Sequence, residues 1–161
     1  VLDNVRVAIH WHSKYPVASA MFRLPAFSKG EAAILEKAEE VLEIFGLLEK
    51  KDEMAKNLPY GEQRRLEIAR ALAAKPRLLL LDEPAAGMNP NETKELMKLI
   101  SWIRNEFDLT ILLIEHDMSL VMGVCEWIMV LDHGETIACG TPDEIKKDKK
   151  VIAAYLGEEA V

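Results

Sequence analysis

LLLLDEP, residues 78–84, decides the fold. Four leucines run straight into two adjacent carboxylates, Asp82 and Glu83, and then a proline. An apolar run of this length predicts a strand buried on both faces, as in a parallel sheet. The end of such a strand lies at the carboxyl edge of the sheet, where α/β proteins bind ligands. Two acidic groups side by side there repel each other unless a cation or proton sits between them. The pair therefore points to Mg²⁺ and a phosphate substrate, with one carboxylate for the metal and the next for an attacking water. The plainer reading is a helix-capping turn without chemistry, and only neighbouring motifs can separate the two.

Outward from the strand, the pattern after Pro76 is strand, helix, strand. Asn89, Pro90 and Glu92 predict a helix start with proline at its first position. Leu96, Leu99, Ile100, Ile103 and Phe107 then form an apolar stripe, and residues 109–114 predict a second buried strand. Asp117 opens a short helix. Residues 127–131 and 135–139 flank the turn Asp132-His133-Gly134 and read as a hairpin. Thr141, Pro142 and Glu144 cap a last helix, and the lysine-rich residues 146–150 read as a solvated end.

Before Lys75 the chain is helical. Residues 1–27, interrupted by Pro16 and Pro25, predict a short helix and an irregular stretch. Ser28 and Glu31 match a capping box. Ile34, Leu35, Ala38, Val41, Leu42 and Phe45 fall on one face of the helix that follows, which Gly46 closes. A charged loop, EKKDEMAKN, leads to a helix over residues 61–74 with Leu66, Ala69 and Leu72 facing in. The organisation is thus a helical part over residues 1–75 and an α/β part over 76–161.

Composition bounds the function. The 161 residues carry a net charge of −7, which argues against a nucleic-acid or anionic-membrane surface. No run approaches the ~18 apolar residues of a bilayer span. The first residues lack the pattern of a signal peptide, and the missing initiator Met points to a fragment. Cys125 and Cys139, without CxxC spacing, predict buried reduced thiols. His10, Trp11 and His12 are close enough for a metal or docking site, though a solvent- or partner-facing loop is the plainer reading.

Three features fall in order: LPYGEQRRLEIARAL at residues 58–72, LLLLDEP, and LLIEHD at 112–117. A glycine before a helix is a general anion site, because free N–H groups and the helix dipole face a phosphate. A second strand ending at His116 brings an imidazole beside the Asp82–Glu83 pair if the strands are neighbours. Together these motifs resemble the ATP-binding cassette (ABC) ATPases. LPYGEQ is similar to the signature motif, LLLLDEP to Walker B with the catalytic glutamate, AAGMNP to the D-loop, and His116 to the switch histidine. Within that family, RRLEIARAL, DEPAAGMNP, EHDM and the tail GTPDEI…AYLG resemble the ATP-binding subunit of branched-chain amino acid importers.

The resemblance implies a P-loop NTPase-like α/β fold, here incomplete. A helical signature subdomain would be followed by the second half of the parallel-sheet core, with a C-terminal hairpin and helices. It implies ATP and Mg²⁺, with Asp82 holding the metal, Glu83 activating water and His116 polarising that water at the γ-phosphate. Gly61, with Tyr60, Glu62 and Gln63, would contact ATP on an opposite subunit, and Asn89 would lie between the two sites. The implied partners are a second ATP-binding subunit, identical or paralogous, two transmembrane permease subunits, and indirectly a substrate-binding protein, with no nucleic acid. The implied place is the cytoplasmic face of the membrane, with Trp11, Tyr15 and Phe22 as a docking surface. Pro59 and Tyr60 replace the usual Ser and first Gly of the signature. No GxxxxGK[ST] occurs, nor the glutamine loop that follows it in the family. The alternatives are an ABC ATPase for another cargo, such as lipopolysaccharide export, and a non-catalytic fragment that turns over no ATP alone.

Overall fold

The computed structural model describes residues 1–11 and 16–156, which form two compact units, Val1–Leu79 and Leu80–Val161. The boundary falls inside the first strand.

The first unit is helical. Helix α1 (Leu2–His10) packs on α3 (Pro25–Ile44) and α4 (Tyr60–Ala73), and α2 (Val17–Met21) packs on α3. Val5 and Ile9 of α1, Ile34, Ala38 and Leu42 of α3, and Leu66, Ala69 and Leu72 of α4 are buried. Gly46, at φ +67°, ends α3 by adopting the left-handed conformation that costs a side chain-bearing residue energy. The charged loop forms two short 3-10 turns, Leu48–Lys50 and Ala55–Asn57. Ion pairs staple it down: Lys51 Nζ to Glu39 at 2.7 Å and Lys50 Nζ to Glu62 at 2.6 Å.

Helix α3 starts earlier than the Ser28–Glu31 pattern predicts. Leu24 is extended at φ −65°, ψ 159°, and Pro25 takes the first helical position. Proline's fixed φ suits that position and its missing N–H is no loss there. Glu31 does not reach back to a helix start. It pairs instead with Arg6 Nη2 of α1 at 2.8 Å. Leu35 and Val41, placed on the apolar stripe from sequence, are exposed and half-buried.

In the second unit, β1 (Leu78–Asp82) and β2 (Thr110–Ile114) are hydrogen-bonded neighbours joined through α5 (Pro90–Glu106). The Glu83 N–H donates to Ile114 O at 2.9 Å, so the carboxyl ends of the two strands lie side by side and the pair is parallel. Neither strand is buried on both faces, contrary to the sequence expectation. Leu79 and Leu81 are buried, but Leu80 is 66% exposed, as are Leu112 (52%) and Ile114 (58%). One face of the pair is thus covered, and Leu80, Leu112 and Ile114 on the other meet solvent.

Helix α5 buries Leu96, Ile100 and Ile103 and packs on α6 (Met118–Val124), whose N-cap is Asp117. The hairpin of β3 (Ile128–Asp132) and β4 (Glu135–Gly140) turns on His133 and Gly134, both with positive φ, as a two-residue I′-like turn requires. A bulge between Val130 and Leu131 shifts its register. Val121, Ile128, Val130, Ile145 and Val151 form the buried cluster beneath it. They include residues of α7 (Pro142–Ile145) and α8 (Lys149–Val151), which leads into one π turn (Ile152–Leu156). Both cysteines are free thiols. Cys125 is half-buried, and burial pushes its pKa up. Cys139 is exposed, contrary to expectation, because its strand places it opposite outward-facing Met129.

Candidate active site

In the second unit, the sequence motifs converge at the carboxyl edge of β1 and β2. Asp82 ends β1 and Glu83 follows it, both exposed at the surface. Glu83 has φ +44°, the left-handed region that a residue with a Cβ avoids. That backbone turns the chain off the line of the strand immediately after Asp82. His116, two residues past the end of β2, brings its Nδ1 to 3.4 Å from Glu83 Oε1. The side chains are 72% and 53% exposed, so the contact is a surface pair open to a third group. Parallel pairing of two neighbouring strands is what brings a carboxylate and an imidazole together from 33 positions apart in sequence, 116 less 83.

Asn89 holds the start of α5. Its side chain accepts from the N–H groups of Asn91 (2.9 Å) and Glu92 (3.0 Å). Glu92 Oε2 in return accepts from the Asn89 N–H at 2.8 Å, completing a capping box. The residue expected between two active sites therefore also has a local structural task.

Tyr60, Gly61, Glu62 and Gln63 belong to the first unit, at the N-terminus of the 14-residue helix α4. No side chain caps that helix end, which leaves a helix-dipole terminus of the kind that receives anions. The neighbouring side chains are turned to local partners. Glu62 is held by Lys50, and Gln63 Nε2 donates to Leu58 O at 2.8 Å. Arg64 Nη2 donates to Tyr60 Oη at 2.7 Å, and its guanidinium lies 5.1 Å from the Tyr60 ring centroid. Gly61 has no side chain, so it presents only backbone at that terminus.

The donor set suits Mg²⁺ bound through a phosphate. Among the described residues no group of three or more His, Cys, Asp or Glu could form an all-protein metal cage. Mg²⁺ commonly takes one or two carboxylates and keeps waters and substrate oxygens for the rest, and Asp82 offers such a carboxylate.

Sequence reasoning missed Glu115. Its side chain is only 1% exposed beside the solvent-facing Glu83 and His116. Its one signal was position, directly before the histidine of LLIEHD. Of the expected docking residues, Trp11 (87% exposed) and Phe22 (70%) are at the surface, while Tyr15 lies outside the described residues, as does His12.

A parallel strand pair that ends in adjacent carboxylates with a histidine facing them is what an ABC-type nucleotide-binding fold presents. Residues 4–86 match the ABC transporter family, and the chain belongs to it. Residues 135–161 match the branched-chain amino acid ATP-binding cassette transporter family. The chain is 51% identical over 158 residues to the high-affinity branched-chain amino acid transport ATP-binding protein LivG of Salmonella typhimurium, covering 98% of this chain and 62% of that protein. It is 46% identical to the corresponding protein BraF of Pseudomonas aeruginosa, over 98% of this chain and 62% of the other. The crystal structure of the ADP conformation of MJ1267, an ATP-binding cassette of an ABC transporter, superposes with a TM-score of 0.74 at 26% identity, over 98% of this chain and 62% of that one. The chain thus spans less than two thirds of the relatives' length.

Proposed function

We propose that this chain is part of an ATP-hydrolysing subunit that energises an importer of branched-chain amino acids. The observation that carries the reading is the Glu83–His116 pair, 3.4 Å apart beside Asp82 at the carboxyl edge of a parallel strand pair. Asp82 is the residue to hold Mg²⁺, which when bound neutralises phosphate charge. Glu83 accepts the proton of, or orients, the water that attacks the γ-phosphate. The imidazole of His116 keeps the Glu83 carboxylate aimed and contacts that phosphate. The N-terminus of α4, with Gly61 in its first turn, faces ATP on an opposite subunit, and Asn89 lies in the segment between the two sites. Similarity of residues 135–161 to the branched-chain family favours that cargo over lipopolysaccharide export.

The partners under this reading are a second ATP-binding subunit, two permease subunits and, through them, a substrate-binding protein. Among the described residues no helix is long and apolar enough to cross a membrane. Attachment at the cytoplasmic face would therefore be peripheral, with exposed Trp11 and Phe22 offered to the permeases. The 161 residues contain no GxxxxGK[ST] loop, so this chain alone has no such cradle for the β- and γ-phosphates.

Phosphate release by the full-length protein carrying Glu83→Gln is the test. General-base assistance contributes about 10²–10⁴-fold, or roughly 3–5 kcal/mol of barrier, and a loss in that range is expected while ATP still binds. Unchanged turnover would sink the assignment.

A further inference from the structure

The loops that carry Glu83 and His116 share one buried carboxylate. Glu115 Oε1 accepts from the Ala85 N–H at 2.8 Å, and its Oε2 accepts from the His116 N–H at 3.1 Å. Ala85 is two residues after Glu83, and His116 is the other member of the surface pair. A carboxylate that is 1% exposed needs partners for its lone pairs, and here both come from the backbones that bear the reacting side chains. A carboxyl group offers a separate oxygen to each of two converging N–H donors. Nearby, the Glu83 N–H is fixed by Ile114 O at 2.9 Å. The left-handed backbone at Glu83 (φ +44°) thus has an anchor at its own N–H and another two residues on.

We infer that Glu115 is a positioning residue: it clamps the Ala85 and His116 backbones together and so sets the distance between Glu83 and His116. This rests on the catalytic reading of that pair. Displacing reacting groups by about 1 Å costs on the order of 10²-fold in rate, so a small relaxation of this clamp has a large effect. The Glu115 side chain is withdrawn from solvent, so ATP binding need not change with it. Its loss falls on kcat per nucleotide-binding site, whereas general unfolding lowers the number of sites that bind nucleotide and leaves kcat per site normal.

The test is a comparison of Glu115→Gln, Glu115→Asp and Glu83→Gln. Glutamine keeps the shape but has one acceptor oxygen, and its NH₂ would confront an N–H. Aspartate keeps the charge and withdraws it by one methylene. In the full-length protein, kcat for ATP is expected to fall about tenfold or more in Glu115→Gln, with KM within about twofold and a smaller fall in Glu115→Asp. In the full-length protein, hydrogen exchange should show the Ala85 and His116 amides losing protection together in Glu115→Gln. If Glu115→Gln or, should that variant not fold, Glu115→Asp keeps normal kcat while Glu83→Gln abolishes turnover, the positioning role is overturned and the functional reading stands. If Glu83→Gln leaves turnover intact, the functional reading itself falls, and the positioning role with it.

Discussion

Replacing Asn89 by alanine removes the N-cap of α5. Its Oδ1 accepts the N–H groups of Asn91 and Glu92, at 2.9 and 3.0 Å, in the first turn of α5. Alanine leaves both donors without a protein acceptor. They lie at the surface, so water takes over and the cost is that of a lost N-cap, about 1 kcal/mol within a range of roughly 0.5–2. Part of the box survives, because the Asn89 N–H to Glu92 Oε2 bond (2.8 Å) is made by backbone and a different side chain. About 1 kcal/mol corresponds to a roughly fivefold rise in local opening. Hydrogen exchange of the Asn91 and Glu92 amides should quicken by that factor in Asn89→Ala and stay near the parent rate in Asn89→Asp, which retains an acceptor. Equal exchange in all three proteins, or an aspartate variant as labile as alanine, would refute the capping account. The aspartate variant then tests a second, proposed task. If Asn89 also lies between two ATP sites, Asn89→Asp in the full-length protein lowers ATP turnover with α5 intact.

The remaining predictions concern the scaffold. Ile103 is fully buried in α5, so Ile103→Ala should cost about 2–5 kcal/mol, read as a lower thermal midpoint; a change below about 1 kcal/mol would show that the site collapses around the gap. The Thr141 N–H, and next its hydroxyl, hold the Glu144 carboxyl below its ordinary value of 4.5. The box therefore stabilises α7 above that ordinary value and is lost as pH falls through the lower folded one; a carboxyl titration by NMR at or above 4.5 would contradict this. Leu80, Leu112 and Ile114 expose one apolar sheet face, so the isolated chain should bind hydrophobic dye and self-associate, and Leu80→Thr with Leu112→Thr should reduce both in light scattering.

Much of this fold was legible because its signals are local. The Asn89-Pro90-Glu92 box and the Asp117 cap each act within four residues and form where the sequence places them, while the expected turn Asp132-His133-Gly134 tightens to His133-Gly134 because Asp132 pairs with Glu135. The start of α3 was misread because two local signals compete there, and Glu31, the partner that decided for Ser28, is drawn off by Arg6 from another helix. Strand burial was misread because a leucine run reports what a strand could bury, and among the described residues only one face finds a cover. Within the candidate site, Glu83 and His116 were readable as residue types at strand ends, and their 3.4 Å approach follows from the strands being neighbours. Glu115 was not readable, since a glutamate in sequence carries no mark of facing inward; its burial is a product of two loops meeting.

The left-handed backbone of Glu83 sets stability and chemistry against each other at one position. Holding a residue with a Cβ in that region costs about 1–2 kcal/mol, which glycine would not incur. Laboratory evolution that screens only for heat resistance would therefore favour glycine at position 83 and return hardier, silent proteins. A search of variant libraries for that enrichment would find the proposed catalytic position by the wish of the backbone to be rid of it.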